Sequence, residues 1–149
     1  MNTRTFKIPL TMAAAGLSGC GGFDFEGNWD VRNISLTYAN DPGYIYSTDY
    51  PQVYEDETET WTLQVDPAAV NLVQLYEYSD GTSYTYNLGP FSWFESEKKR
   101  FEITGAVDFD RFVCDADPDD NDKLGCDIVI DLGTDAESTA RLSLDRVIP

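Results

Sequence analysis

The stretch VNLVQLYEYSDGTSYTYNL, residues 70–88, decides the fold class, because two runs of alternating side chains flank the turn residues Ser79-Asp80-Gly81-Thr82. Asp-Gly between such runs is a strong β-hairpin signal, since both residues tolerate the positive φ angles of a tight turn. We therefore predict a hairpin of two strands, over residues 70–78 and 83–88.

The same two-residue period continues on both sides of this hairpin, and no window of a dozen residues shows an apolar stripe at helical spacing. The first strand carries an irregularity near Arg32 and Asn33 that predicts a β-bulge. Further strands are predicted over residues 28–38, 57–65, 91–94, 100–104, 107–114, 126–132 and 138–147. The pattern predicts an all-β antiparallel meander of eight or nine strands, which would form either a barrel, whose closure removes exposed sheet edges, or a β-sandwich.

The first residues have the layout of a secretory signal peptide. Arg4 and Lys7 form a short basic region, and residues 8–17 are apolar and rich in small side chains. This apolar run is shorter than the roughly 20 residues that a membrane-spanning helix needs. We predict that residues 1–19 are removed from the mature protein.

The end of this segment, Leu17-Ser18-Gly19-Cys20, resembles the lipobox of bacterial lipoproteins. The resemblance implies that Cys20 is diacylated and becomes the first mature residue, so that two acyl chains hold the protein on a membrane. It also divides the chain into a lipidated tether, residues 20–26, and a single β domain, residues 27–149. The residue after the cysteine is Gly21 and not aspartate, which resembles the Gram-negative lipoproteins that go to the outer membrane. The resemblance implies that the protein is in the cell envelope, on the outer membrane.

The chain has three cysteines, and an acylated Cys20 leaves Cys114 and Cys126 as one pair. Because export leads to an oxidising compartment, a disulfide between these two is the simplest expectation.

Charge and composition exclude several classes of function. The mature chain has a formal charge of −19, since loss of Arg4 and Lys7 leaves eight basic residues against 27 acidic ones. Such a surface repels nucleic acid, so no nucleic-acid partner is expected. The chain has no histidine, and therefore no histidine-assisted nucleophile and no common type of zinc site. We expect that the protein is not an enzyme and has no resident cofactor apart from a candidate calcium ion.

The calcium candidate is the stretch CDADPDDNDKLGC, residues 114–126. A hairpin with opposed cysteines would place Phe112 opposite Ile128 and leave residues 115–125 as an eleven-residue loop. The spacing of its first aspartates is that of calcium loops, but Asp120 and Cys126 stand where an EF-hand needs glycine and glutamate. Two readings remain, a solvated loop and a weak calcium site. The ligands of that site would be Asp115, Asp117, Asp119 and Asp122.

The segment from Phe25 to Val31 contains Gly27-x-Trp29, which resembles the motif that opens the first strand of lipocalins and of bacterial lipocalin-like lipoproteins. The resemblance favours a lipocalin-like barrel over a β-sandwich. It implies that Trp29 closes one end of this barrel and that a basic residue late in the chain, Arg146 or Arg141, covers it. The tyrosine-rich residues 37–57 would then form either a long loop over the open end or an extra edge hairpin.

Two functions from different classes follow. The first is an outer-membrane lipoprotein whose lipocalin-like cup binds a small hydrophobic ligand. The alternative is a structural or interaction lipoprotein that contacts envelope proteins, with a barrel filled by its own side chains and an acidic, calcium-binding loop. An eight-stranded barrel is wide enough to hold one small ligand and narrow enough to be filled by its own side chains, so its size permits both functions.

Overall fold

The computed structural model describes residues 23–148, so the predicted signal peptide and Cys20 lie outside the described residues. Every regular element in this part of the chain is a β-strand, which confirms the all-β prediction. The strands are β1 (Gly27–Tyr38), β2 (Asp41–Asp49), β3 (Gln52–Val53), β4 (Glu57–Val65), β5 (Val70–Tyr78), β6 (Ser83–Glu97), β7 (Arg100–Thr104), β8 (Arg111–Ala116), β9 (Lys123–Ile130) and β10 (Ser138–Arg146). Within residues 23–148 no helix is long and apolar enough to cross a membrane.

Eight of these strands close into an antiparallel barrel. The ring runs β1-β10-β9-β8-β7-β6-β5-β4, and it closes where β4 pairs with β1. In that closing pair Gly27 lies opposite Val65, and Asp30 lies opposite Thr62. The predicted barrel is therefore confirmed, and the sandwich alternative is excluded.

The remaining strands β2 and β3 lie where β1 and β4 separate. β1 pairs with β4 only as far as Asp30, and from Asn33 onward it pairs with β2. The start of β4 pairs with the short β3 at Thr58 and Glu59. The barrel is therefore continuous at the end where β1 begins, which we call the Trp29 end. At the opposite end, which we call the tyrosine end, the sheet divides into two walls, β10-β1-β2 and β3-β4-β5-β6.

Strands β4, β5 and β7 have the predicted bounds, because each is a short alternating run between turn residues. The predicted bulge in β1 is confirmed, since Val31 pairs with Leu144, Asn33 pairs with Ser143, and Arg32 is left between them. The tyrosine-rich segment forms an extra hairpin strand, β2, in place of a long loop.

Several predicted strand boundaries are wrong. The strand predicted over 126–132 is β9, which begins at Lys123 and ends at Ile130. Residues 83–97 form one continuous strand, where two strands were predicted, because a bulge lets β6 pass from pairing with β5 to pairing with β7. The strand predicted over 107–114 begins only at Arg111. Residues 105–110 form a loop instead, in which the Asp110 N–H donates to the Val129 carbonyl and Phe109 packs on the core.

The bulge in β6 depends on Gly89, whose φ is +152°. A Cβ atom there would lie 2.9 Å from the carbonyl oxygen of Val70 and 2.8 Å from Asn71 Oδ1, both on the neighbouring strand. Only glycine permits this approach of the two backbones.

The hydrophobic core occupies the Trp29 end of the barrel. Trp29, Leu63, Val70 and Phe101 are fully buried there, and their side chains come from strands on different sides of the ring. Phe25, which precedes the first strand, is also 1 % exposed and packs edge-on against Phe101, with ring centres 4.8 Å apart. The core thus includes residues from the segment predicted as a tether.

Candidate functional site

The Cys114–Cys126 disulfide forms as predicted, between directly opposed residues of β8 and β9. The two Cα atoms are 4.1 Å apart, and both cysteines are buried in the core. Phe112 lies opposite Ile128, which also confirms the predicted register. The disulfide therefore joins two neighbouring strands on the interior side of the barrel.

The acidic loop is shorter than the predicted eleven residues. Strand pairing continues beyond the disulfide, with Ala116 opposite Leu124 and the Asp117 N–H donating to the Lys123 carbonyl at 3.0 Å. The loop between the strands therefore spans residues 117–122, and Asp115 belongs to β8.

The carboxylates of this region act as ion-pair partners and turn formers. Asp115 accepts a hydrogen bond from Arg100 Nε at 2.7 Å, and Asp122 accepts one from Arg146 Nε at 3.1 Å. Asp117 accepts two backbone N–H groups of the loop, at 2.8 and 3.1 Å. Within residues 23–148 no three histidine, cysteine or carboxylate side chains form a group that could hold a metal. The structure does not bring together the predicted calcium ligands, which are Asp115, Asp117, Asp119 and Asp122.

Arg146 covers Trp29 at the end of the barrel where the chain enters. Its guanidinium carbon lies 4.2 Å from the centre of the Trp29 ring, and its Nη2 atom donates a hydrogen bond to the Asp24 carbonyl at 2.9 Å. The indole N–H of Trp29 donates to the Phe25 carbonyl at 2.9 Å. Arg141, the other basic residue considered for this position, lies on the outer wall and pairs with Asp127. A small barrel closed in this way is compatible with a lipocalin-like fold.

The outer wall near the acidic loop has a depression of about 470 Å³. Its floor includes Gly125 and Ser143, two small residues that lie opposite each other on β9 and β10. On its rim Asp145 accepts hydrogen bonds from Lys123 at 2.8 Å and Arg32 at 3.2 Å. The charged side chains of Arg32, Lys123 and Asp145 on this rim therefore pair with one another.

The tyrosine end carries all nine tyrosines of the chain, within residues 38–86. Eight of them form what is here called the tyrosine surface. Its members are Tyr38, Tyr44, Tyr46, Tyr54, Tyr76, Tyr78, Tyr84 and Tyr86. All of these except Tyr76 are between 37 and 56 % exposed. A surface with this many exposed aromatic side chains is a candidate binding site.

Strand register shows that the tyrosine surface continues the interior side of the barrel. Opposed residues of an antiparallel pair share a face, and side chains alternate along each strand. On the first wall Tyr46 lies opposite Leu36, which lies opposite Ala140 of the core. On the second wall Tyr76 lies opposite Tyr84 and shares the face of buried residues on β5. The tyrosines therefore line the inner sides of the two diverging walls.

A polar cluster lies at the base of these walls, around Glu59, the one buried charged side chain within residues 23–148. Glu59 is 8 % exposed, and its Oε2 accepts hydrogen bonds from Trp61 Nε1 at 2.8 Å and from Gln74 Nε2 at 2.6 Å. Gln74 Nε2 also donates to the Tyr76 hydroxyl at 2.6 Å. These four residues and Tyr50 are here called the Glu59 cluster.

The pKa values of the two phenols in the Glu59 cluster, Tyr50 and Tyr76, are raised. Burial raises the pKa of Tyr50, and the negative charge of Glu59 raises it further. Burial likewise raises the pKa of Tyr76, with Glu59 again the next cause. Both phenols therefore remain neutral hydrogen-bonding groups well beyond physiological pH.

Charge is distributed unevenly along the chain. Residues 33–97 contain eleven aspartates and glutamates and no lysine or arginine. This stretch includes β2 to β6, and therefore most of the tyrosine end. The ion pairs of the barrel instead lie on the outer wall around Arg100, Lys123 and Arg141. The tyrosine end is thus aromatic and strongly negative.

The sequence reasoning did not identify Glu59 as a site residue. A signal was present, because Glu59 alternates in phase with Trp61, Leu63 and Val65 on the buried face of a predicted strand. A carboxylate on the apolar face of an amphipathic strand requires a partner.

No protein family matches the chain, and no curated protein matches it either.

Proposed function

We propose that this protein is a cell-envelope lipoprotein, anchored to the outer membrane through acyl chains on Cys20, which uses its tyrosine surface to bind a partner in the envelope. The filled barrel is the scaffold of that surface. The observation that carries the proposal is the placement of the tyrosine surface at the opposite end of the barrel from the point where the chain enters.

The entry point supports an anchor at the Trp29 end. Phe25 is buried in the core, and Arg146 binds the carbonyls of Asp24 and Glu26. Only three residue steps separate Cys20 from Phe23, and three residues span at most about 10 Å. An acylated Cys20 therefore holds the Trp29 end close to the membrane surface.

The same geometry directs the tyrosine surface away from the membrane. Nine residue steps along β1 separate Trp29 from Tyr38, a distance of roughly 30 Å along the strand. A partner can therefore reach the tyrosines without contacting the lipid.

The filled interior favours an interaction protein over a cup for a small hydrophobic ligand. Trp29, Phe101, Phe112 and Leu142 are all less than 3 % exposed and occupy the space that such a ligand would need. The described depression of about 470 Å³ lies on the outer wall. Exposed tyrosines, in contrast, offer apolar area and a hydroxyl group to a partner with little loss of side-chain entropy.

The anchor is tested by processing in a bacterial host. Inhibition of the lipoprotein signal peptidase with globomycin, or the substitution Cys20→Ala, is expected to leave the unprocessed precursor and to abolish labelling by radioactive palmitate. Normal processing under globomycin would contradict the lipoprotein assignment.

The recognition surface is tested by site-specific photo-crosslinking in intact cells. A crosslinking side chain at position 46, on the inner side of β2, is expected to capture a partner. The matched control is position 45, because Ile45 is the adjacent residue, points to the other side of the strand and is 64 % exposed. Equal capture from the two positions would show that the tyrosine surface is not the binding face.

A further inference from the structure

Glu59 is a buried carboxylate whose hydrogen bonds come from neutral groups alone. Its Oε2 accepts both donors, the Trp61 indole and the Gln74 amide. Among residues 23–148 no donor is found for Oε1, and no lysine or arginine forms an ion pair with Glu59. A buried carboxylate ordinarily has a charged partner, because desolvation of an unpaired charge is costly.

No lysine or arginine lies close to Glu59 along the chain. Residues 33–97 contain no lysine or arginine, so both walls of the tyrosine end lack basic side chains from β2 to β6. The arginines closest to this stretch along the chain, Arg32 and Arg100, form ion pairs with Asp145 and Asp115 on the outer wall. The ion pairs formed among residues 23–148 thus do not include the Glu59 carboxylate.

The side chains around Glu59 are the type that bind organic cations. Trp61 donates to the carboxylate, and Tyr76 shares the Gln74 amide with it. Tyr50 and Trp61 pack at the edge of the core. The faces of tryptophan and tyrosine rings attract ammonium and guanidinium groups, and this attraction increases when water is excluded.

We propose that the Glu59 cluster binds an organic cation, an ammonium or guanidinium group, that enters across the tyrosine surface. This inference rests on the proposed function in one respect, the use of the tyrosine end as the recognition surface. The cation completes the missing ion pair of Glu59 and lies against the rings of the cluster.

Other ligand chemistries fit the cluster less well. The six carboxylates within residues 41–59, together with Glu77 and Asp80, repel an anion. A calcium ion needs six to eight oxygen ligands, and no group of three metal-ligating side chains exists within residues 23–148. A neutral polar ligand would satisfy the hydroxyl groups, but it would leave the charge of Glu59 unpaired.

Isothermal titration of the full chain in a nonionic detergent tests the proposal. The probes are choline and its neutral isostere 3,3-dimethyl-1-butanol, which have nearly the same shape. We expect choline to bind at least about tenfold more tightly than the isostere, because only choline carries the charge. Equal binding of the two probes, or no heat from choline, would overturn the proposal without recourse to any variant.

The role of Glu59 is tested with Glu59→Gln, because the new amide oxygen can still accept the hydrogen bonds from Trp61 and Gln74. We expect choline binding to weaken by about tenfold or more, with little change in melting temperature. The control is Glu77→Gln, which removes one negative charge from β5 on its exposed side. If both variants reduce binding equally, the effect is one of net charge, and the assignment to Glu59 is wrong.

A second set of titrations distinguishes the source of the cation. A peptide of alternating arginine and serine is compared with butylammonium, and tighter binding of the peptide would indicate a basic polypeptide partner. Tighter binding of the small amine would indicate a free organic cation. These titrations do not depend on the anchor, so failure of the globomycin or crosslinking test with retained choline binding would overturn the proposed function alone.

Discussion

The guanidinium carbon of Arg146 lies 4.2 Å from the centre of the Trp29 ring, so the last residue of β10 closes the barrel over the first buried residue of β1. Arg146 also donates hydrogen bonds to the carbonyl of Asp24 in the entry segment and to that of Asn121 in the acidic loop. One side chain therefore covers the Trp29 end of the barrel and also binds its entry segment.

We predict that Arg146→Ala lowers the free energy of unfolding by about 2–4 kcal/mol, because it removes a largely buried cation–π contact and leaves several carbonyls without donors. The control is Arg141→Ala, which breaks an ion pair on the outer wall and is expected to cost at most about 1 kcal/mol. The side chain of Arg146 is 19 % exposed, and that of Arg141 is 70 % exposed. Urea denaturation measures both, and equal losses would show that Arg146 has no special role.

Loss of the disulfide is expected to destabilise the barrel without changing its fold. We predict that the double substitution of Cys114 and Cys126 by alanine lowers the unfolding free energy by about 3 kcal/mol, chiefly through greater freedom of the unfolded chain. Reduction of the wild-type protein should have a similar effect, while the double variant should not respond to a reducing agent. A response of the double variant would contradict the prediction.

Gly89 is expected to tolerate no side chain. The substitution Gly89→Ala places a Cβ atom 2.9 Å from the Val70 carbonyl oxygen, so we predict a loss of about 2–4 kcal/mol from overpacking and backbone strain. Gly43→Ala is the control, because nothing lies within 4 Å of a Cβ atom at that position. Thermal unfolding of the two variants measures the difference, and a stable Gly89→Ala protein would show that the bulge can relax.

The stability contributed by Asp145 is expected to depend on pH. A hydrogen bond from Lys123, and then one from Arg32, hold the pKa of Asp145 below its ordinary value of 3.8. A lowered carboxyl pKa stabilises the folded state at pH values above the unfolded pKa, and this contribution disappears as the pH falls through the folded value.

We therefore predict that Asp145→Asn costs roughly 0.5–1 kcal/mol at pH 7, a small value because the ion pairs are partly exposed. The difference from wild type should vanish below the folded pKa. Urea denaturation between pH 2 and about pH 7 measures this, with Asp135→Asn in an exposed turn as the control. A difference that stays constant down to pH 2 would contradict the assignment.

Much of the barrel could be predicted from local pattern. The hairpin around Asp80 and Gly81 was predictable because turn chemistry and alternation act over a few neighbouring residues, and β4, β5 and β7 were bounded correctly for the same reason. The register of the Cys114–Cys126 hairpin was predictable because a disulfide requires the two residues to be opposite each other.

The acidic loop shows where local pattern was insufficient. Aspartate spacing indicated calcium ligands, but the spacing did not reveal that Arg100 and Arg146, from other strands, would pair with Asp115 and Asp122. The continued pairing of Asp117 with Lys123 also shortened the loop. The two arginines lie outside the segment, so its own sequence could not show these ion pairs.

By itself the sequence determined the all-β class, most of the strands and the pairing of Cys114 with Cys126, because each of these depends on alternation, turn residues or a covalent link. Only the tertiary structure decided that β1 leaves β4 after Asp30, that the tyrosines line the inner sides of two walls, and that Glu59 is buried without a cation. The physical reason is that a strand has two edges and two faces. Which neighbour occupies an edge, and which charges meet a face, depend on contacts between segments far apart in the chain.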